Sequence, residues 1–310
     1  MVRDDPLFSV VVPTFNRQDH IGSCLASVEA QEFGNLEVVV IDDASVDDTV
    51  AVAESSTRGL DVRVLSNEVN RERSYSRNRG AAVARGRYLV FLDSDDVLQP
   101  GALHRAAEFI AEDQSRRFFF QVLEVVDESG RTVYQPKVGP GSMSRVLAEG
   151  NPLSCSGVYV ERELFLRHRF DESRKLVRSE DWHCWIRVAA EQLPVVCPGN
   201  GALLVDHGGR SMAFDPWDEA ERRFAMLTED LLARPAAREF LEPNLALFRA
   251  TQDHYVAVKA AGQGAVGVSI VRFLRSVRRF PPLLMTRRTL HLLRLWCRFL
   301  FVRSRRGDSG

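Results

Sequence analysis

Four continuous apolar runs, each followed by a stretch with helical spacing, constrain this chain more than any other feature. The runs are "LFSVVVP", "LEVVVIDD", "DVRVLSN" and "RYLVFLD". Between them lie "HIGSCLASVEAQ", "DDTVAVAESS" and "SYSRNRGAAVARG", which predict three helices, the second capped by Ser45 or Asp47 and the third closed by glycine. A strand exposed on one face would alternate polar and apolar residues. These do not, so they read as parallel strands covered by helices on both faces. The crossovers of such a sheet are right-handed, and its ligands bind beyond the carboxyl ends of the strands.

The polar residues gather at those ends. Strand one ends in "PTFNR", strand two in "DDAS" and strand four in "DSDD", while strand three leads into "NEVNRERSYSRN". In "YLVFLDSDDVLQPGAL" an apolar strand runs straight into Asp93-Ser94-Asp95-Asp96, with three mutually repelling carboxylates in four residues. A turn alone could use Asn, Gly or Ser. The acids either cap the next helix or face a cation, and Mg²⁺ and Mn²⁺ prefer carboxylate oxygen.

The second half changes character. "FFFQVLEVVDESGRTVY" predicts a hairpin, "SEDWHCWIRVAAEQ" an amphipathic helix with Ser179 at its N-cap, and "PVVCPGNGALLVDHGGRSM" a strand pair ending in a His-Gly-Gly loop. After about Asp215 the pattern is helical to the end. Charge is segregated there: from Val268 onward there are eleven Arg and one acid, leaving about −11 on the preceding 267 residues of a chain whose formal charge is −1. That asymmetry predicts a body with a basic tail. The five cysteines show no CxxC spacing, consistent with free thiols in a reducing compartment. "MVRDDPLF" is acidic and enters a strand at once, so no signal peptide is expected, and arginines break every apolar run long enough to span a bilayer. "GQGAVG", Gly262–Gly267, matches a dinucleotide fingerprint but follows a helical pattern rather than a strand, and reads as an interhelical turn.

The order "VVVPTFNR", "VVVIDDASVDDT", "RNRGAAVARGRYLVFLDSDD", "SEDWHCWIRV", "DHGGRS" resembles the family 2 glycosyltransferases over about residues 7 to 212. The resemblance implies a GT-A fold: an α/β, Rossmann-like, mostly parallel sheet with helices on both faces, here with a C-terminal helical extension. It divides the chain into a catalytic domain, 1–215, with a nucleotide-binding half, 1–98, and an acceptor half, 99–215, followed by a basic helical extension, 216–310. It implies an inverting transfer from a nucleotide-diphosphate sugar, with UDP the expected nucleotide, to a hydroxyl of a glycan or lipid-linked acceptor.

Roles follow by resemblance. Asp95 binds Mn²⁺ or Mg²⁺, Asp93 contacts ribose or metal-bound water, and Asp96 supports the loop. Ser94 lies with them on the donor side. His207 is a further metal candidate; its neighbours Gly208 and Gly209 would let backbone approach a ligand. Pro13, Thr14 and Asn16 lie in the base-binding loop. Asp43 leans on the base with Asp42 in support, unless Asp43 serves as a helix cap. Arg77, beside Asn78, engages the base or diphosphate, while Arg71 and Arg73 are solvated. Many relatives carry glycine where this chain has Arg71 or Glu72, so a different loop shape is expected there. Asp181 is the general base, with Glu180 orienting loop or acceptor. Trp182 stacks on the acceptor sugar or packs in the core with Trp185.

Two other functions compete. A sugar nucleotidyltransferase needs a glycine-rich phosphate loop after strand one, which "VVVPTFNRQDH" lacks; a non-catalytic sugar-nucleotide binder or scaffold would have lost Asp93, Asp95 or Asp181. No nucleic-acid partner is expected. In the tail, Arg287, His291, Arg294 and Arg298 share one helical face among leucines and aromatics, and Arg272, Arg275 and Arg279 repeat the theme. Such a stripe either packs as a helical subdomain or lies on anionic lipid across 268–306. The expected location is cytoplasmic, with the tail attaching the protein peripherally to the inner face of the membrane.

Overall fold

The computed structural model describes residues 5–56, 59–127, 129–136, 142–205 and 215–307, with side chains placed as far as Cys297. The chain forms two compact units: Met1–Gly139 with Pro152–Arg210, and Pro140–Asn151 with Ser211–Gly310.

The first unit opens with the alternation read from the apolar runs: β1 (Phe8–Thr14), α1 (Ile21–Glu29), β2 (Leu36–Asp42), α2 (Thr49–Ser55), β3 (Val62–Ser66), α3 (Glu72–Val83) and β4 (Tyr88–Phe91). Every residue of β1, β2 and β4 is buried, which explains why none of them alternates, whereas β3, expected to be covered as well, lies at the edge of the sheet and is only half-buried, with Arg63 in its run. All four strands run parallel, and the register pairs Thr14 with Asp42 and Asp42 with Ser66. The polar residues after these strands therefore share one rim. At α2, Asp47 Oδ1 accepts the Thr49 N–H (3.1 Å), while Ser45 Oγ accepts the Asn16 N–H (2.8 Å) and joins the first two rim loops.

Next come β5 (Asp96–Leu98), α4 (Ala102–Glu112), β6 (Phe118–Val126), β7 (Thr132–Tyr134), α5 (Met143–Glu149), β8 (Val158–Glu161), α6 (Arg162–His168), α7 (Glu180–Glu191) and β9 (Val195–Val205). All but α5 belong to the first unit. The sheet order is β3-β2-β1-β4-β8-β6-β9-β5, with β7 paired to β6 as the predicted hairpin. β8 is antiparallel to both neighbours and β5 to β9, so the parallel half continues into a mixed one. The strand pair expected in "PVVCPGNGALLV" is instead the single strand β9. Gly199 at φ 90° and register shifts against β6 make its Pro-Gly a bulge rather than a turn.

Helix α3 sits unusually close to the sheet. A Cβ on Gly80 would lie 2.4 Å from Val11 Cγ1 and 3.3 Å from Ile41 Cγ1. Glycine weakens the helix interior by about 1 kcal/mol relative to alanine, yet it sets the height of the side chains that α3 presents at the rim. On the α3 side of the core, Phe91, Phe118, Phe165 and Phe170 surround Trp185, which is fully buried.

In the second unit, α5 is joined by α8 (Trp217–Ala233), α9 (Pro235–Leu241), α10 (Leu245–Gly262), α11 (Val266–Arg279) and α12 (Arg287–Gly307). The Thr251 hydroxyl donates to the Ala148 carbonyl (2.9 Å), holding α5 to α10. Arg223 and Asp215 form a buried two-point ion pair at 2.8 and 3.1 Å, and the Tyr255 hydroxyl donates to the same carboxylate (2.9 Å). Ala257, Ala261, Phe273 and Leu292 form a core across α10, α11 and α12, so part of the tail's apolar surface packs within the unit. "GQGAVG" joins α10 to α11, with Gly264 at φ 82°. No described helix is long and apolar enough to cross a membrane.

Gly80→Ala should push α3 off β1 and lower stability by about 1–3 kcal/mol, the usual cost of overpacking. Urea unfolding measures it, and an unchanged midpoint would mean that Val11 can move aside.

Candidate active site

The site occupies the carboxyl rim of the first unit, and its centre is Arg77. This guanidinium is 2% exposed. Its Nη2 donates to Asp93 Oδ1 (2.5 Å) and its Nη1 to Glu180 Oε1 (3.2 Å). One side chain from α3 thus ties the acidic loop after β4 to the start of α7. Burial by itself would weaken the Arg77 charge, but Asp93 foremost, and Glu180, hold its pKa above the ordinary value. Sequence pattern suggested a nucleotide contact for Arg77; the structure commits its head group to these two carboxylates. Glu180, expected on the acceptor side, is 4% exposed and turned toward Arg77, with Oε2 buried and unpartnered.

The acidic loop is held from below. Ser156 donates to Asp96 Oδ2 (2.6 Å) and accepts the Asp93 N–H (3.2 Å), so Asp96 supports the loop. The Cys24 thiol reaches the Asp93 carbonyl at 3.7 Å. Ser94 is buried, whereas the Asp93 and Asp95 side chains keep 28% and 14% of their surface exposed. Arg17 Nη2 lies 3.6 Å from Asp95 Oδ2, close enough to balance charge but too far for a hydrogen bond. Near the end of β9, Leu204 pairs with Asp96, the last acid of this loop. His207 itself lies outside the described residues.

The loops after β1, β2 and β3 interlock. Asn16 adopts φ 50°, its Oδ1 accepts the Val46 N–H (3.0 Å), and Asp42 accepts the Ser45 N–H (3.2 Å). Asp43 Oδ1 accepts from Asn67 Nδ2 (2.6 Å) and the Arg71 N–H (2.9 Å), and Oδ2 from the Glu72 N–H (2.8 Å). Asp43 therefore caps α3 rather than the helix that follows its own strand. Glu72 sits at φ 71°, the left-handed conformation that glycine adopts without penalty and other residues at about 1–2 kcal/mol. Pro13 lies within β1 and Thr14 ends it; Thr14 Oγ1 is buried without a partner, a hydroxyl left for a ligand. Phe15, 42% exposed beside it, offers a ring face on which a base could stack.

Asp181 is the second residue of α7. Its Oδ1 accepts the Trp182 N–H (2.7 Å), and the helix N-terminus favours its ionised form. Burial, then the neighbouring Glu180 charge, outweigh that and push its pKa up to about 7. Trp182 is 7% exposed and lies largely within the fold. Asn78 orients the approach to α7: it donates to the Phe170 carbonyl and Glu172 (both 2.9 Å) and accepts the Phe170 N–H (2.9 Å). Arg17, Ser156, Cys24 and Asn67 were not singled out from the sequence. Only the proximity of "PTFNR" to the acidic rim could have suggested Arg17; the other three act through folded contacts.

Among the described residues, no three His, Cys, Asp or Glu side chains converge as a ready metal cage. Asp93 and Asp95 still provide hard carboxylate oxygen at a partly open rim. That fits Mg²⁺ or Mn²⁺, which bind through one or two carboxylates and complete their shell with substrate phosphate and water.

Residues 9–169 match the family described as Glycosyl transferase family 2, more than half of the 310 residues, and the chain belongs to that family. The Escherichia coli UDP-Glc:alpha-D-GlcNAc-diphosphoundecaprenol beta-1,3-glucosyltransferase WfgD is 27% identical over 187 residues, covering 60% of this chain and 70% of that one. The Staphylococcus aureus TarS fragment 1–349 in complex with UDP-GlcNAc superposes with TM-score 0.60 at 20% identity, covering 88% of this chain and 91% of that one. The Pyrobaculum calidifontis mannosyltransferase PcManGT, in complex with GDP-Man and Mn²⁺, gives TM-score 0.53 at 16% identity, covering 96% and 88%. These structural likenesses show the fold, that of GT-A glycosyltransferases. The chain spans 55% and 63% of the length of two further curated glycosyltransferases that it matches.

Arg73, expected to be solvated, instead brings Nε within 3.9 Å of Glu180 Oε1. Arg77→Met should still lower stability by about 3–5 kcal/mol, because Asp93 would lose its bonded cation and Glu180 would keep only the more distant Arg73. Urea unfolding of Arg77→Met, Glu180→Gln and the double variant tests the coupling. Additive losses would show that the pair does not act as a unit.

Proposed function

We propose that the chain transfers a sugar from a nucleoside-diphosphate sugar, with uridine as the nucleoside, to a hydroxyl of a glycan or lipid-linked acceptor, inverting the anomeric configuration. The observation that carries this reading is the Arg77 bridge: it holds the loop of Asp93 and Asp95 against the helix start that bears Asp181, whose pKa is about 7. A group titrating near neutral pH is suited to accept a proton, and two acids outside it remain for the donor. The uridine donors and the lipid-diphosphate acceptor in the names of TarS's ligand and of WfgD support the donor and acceptor classes.

Thr14 Oγ1, Asn16 and Asp42 would border the nucleoside, with Phe15 against the base. Asp43, already fixed by three donors, offers the remaining lone pair of Oδ2 to a base N–H. Asp95, and Asp93 through water, would hold Mg²⁺ or Mn²⁺, which when bound neutralises charge on the departing diphosphate. Asp181 takes the proton of the acceptor hydroxyl. The acceptor oxygen attacks C1 from the face opposite the diphosphate, forming the new C–O bond as the C1–O bond to the diphosphate breaks. Arg77 contributes by keeping Asp93 and Glu180 in place. Glu180, held by Arg77, fixes the start of α7 and the Asp181 side chain on it.

Two substitutions separate donor binding from chemistry. Asp95→Ala should abolish metal-dependent UDP binding in calorimetry. Asp181→Asn should leave that binding near normal and lower transfer by about 10²-fold or more. Because Asp181 must be ionised to act, kcat/KM should fall with decreasing pH below about 7, tenfold per unit, and the Asn variant should lose that limb. Equal UDP affinity in wild type and Asp95→Ala would remove the metal role; a retained acid limb in Asp181→Asn would assign the base elsewhere.

The second unit supports attachment to anionic membrane, which would place the protein at the inner face. Leu274, Leu284, Met285, Leu290 and Leu293 remain 43–92% exposed among the arginines of α11 and α12, although Phe273 and Leu292 are packed inside. Replacing Leu284 and Met285 with Ser and Arg287 and Arg294 with Gln should abolish co-sedimentation with anionic liposomes at low salt. Equal recovery of both proteins in the supernatant would leave the helices with a packing role alone.

A further inference from the structure

The second unit contains a cavity of about 230 Å³ between α8, α10 and α11. Its wall carries four guanidinium groups, Arg249, Arg272, Arg275 and Arg279, against two carboxylates, Glu221 and Asp253. Asp253 is 5% exposed and accepts from Arg272 (3.0 Å) and, on its other oxygen, from Arg279. Glu221 pairs with Arg272 from the opposite side. Among the described residues, neither Arg249 nor Arg275 has a carboxylate oxygen within 4 Å, although the Arg275 charge acts on Asp253, and four guanidinium groups against two carboxylates leave the cavity lining with two positive charges in excess.

Two further features separate this wall from an ordinary solvated basic surface. The Thr228 hydroxyl donates to Gln252 Oε1 (3.0 Å), and Gln252 Nε2, in the cavity lining, is buried without an acceptor among the described residues. Burial, then repulsion from Arg275 and Arg279, lowers the Arg272 pKa, as expected where positive charge is crowded and incompletely neutralised. Guanidinium groups only donate, and several of them around a small space match the oxygens of a phosphate. The volume lies below the roughly 300–1,000 Å³ of pockets that enclose whole organic ligands, and suits a head group alone. Val271 and Leu274, 55% and 61% exposed, flank Arg275 on α11 and would suit a ligand whose phosphate is attached to an apolar chain.

We propose that this cavity is a phosphate-binding site for a diphosphate or phosphomonoester group, carried either by a lipid or by a soluble molecule. It does not depend on the transfer reaction assigned to the first unit. Arg272 and Arg279 position themselves on Asp253, while Arg249 and Arg275 are available to the ligand.

The test uses the full chain in EDTA, so that no metal carries phosphate to Asp95. Calorimetry with inorganic pyrophosphate at low salt should show binding that Arg249→Gln and Arg275→Gln each weaken by about tenfold or more. Arg278→Gln, which removes a charge from α11 outside the cavity, should bind as wild type does. Arg272 and Arg279 are left intact because their loss would strand a buried Asp253. In a second arm, the proteins are sedimented with phosphatidylcholine vesicles that contain or lack phosphatidic acid. Retention of wild type but not of the two cavity variants identifies a lipid head group; pyrophosphate binding without retention identifies a soluble phosphate. Equal behaviour of cavity variants and Arg278→Gln in both arms, or no binding by wild type in either, overturns the proposal.

Discussion

The rim of the first unit depends on one cation. Arg77 is inserted from a helix between two acids that lie 87 residues apart in the chain, Asp93 and Glu180, and it is almost completely removed from water. Without it, buried Glu180 and partly exposed Asp93 would repel each other and draw the loop after β4 away from the start of α7. With it, the acids after β4 and the start of α7, which carries Asp181, are held together. Burial raises the Asp181 pKa, and the charge of Glu180, held beside it by Arg77, adds to that rise, while the Arg77 charge opposes it.

That frame is set by how α3 is seated. Gly80 lets the helix approach Val11, Asp43 caps its first turn, and Asn78 grips the segment that leads to α7. Each contact joins elements distant in sequence, and each fixes the height or rotation of the helix that carries Arg77. The left-handed Glu72 is tolerated because the Asp43 carboxylate holds its N–H, so the local strain is offset at the point where it arises.

Charge is managed differently in the helical unit. Asp215 and Arg223 form a buried ion pair, and the Tyr255 hydroxyl donates to the same carboxylate. Around Asp253 the balance is broken: arginines outnumber acids, and an amide donor lacks an acceptor. A fold seeking stability alone gains little from crowding guanidinium groups, since replacing such charges with apolar side chains is often neutral or stabilising. The excess is more economically explained by a ligand that supplies the missing negative charge.

The unbroken apolar runs determined the parallel half of the sheet, because only strands buried on both faces can dispense with alternation. The same runs put "PTFNR", "DDAS" and "DSDD" on one rim, since parallel strands bring their carboxyl ends to one side. Local chemistry also made the β6–β7 hairpin and the α10–α11 turn legible. The tertiary structure alone decided that Arg77 faces Asp93 and Glu180, that Asp43 caps a helix one strand away, that Ser156 braces the acidic loop, and that β9 bulges at Gly199 instead of turning back. These depend on contacts between residues far apart in the chain. A motif records which side chains are present at a strand end, whereas burial and the seating of α3 determine which charges they meet.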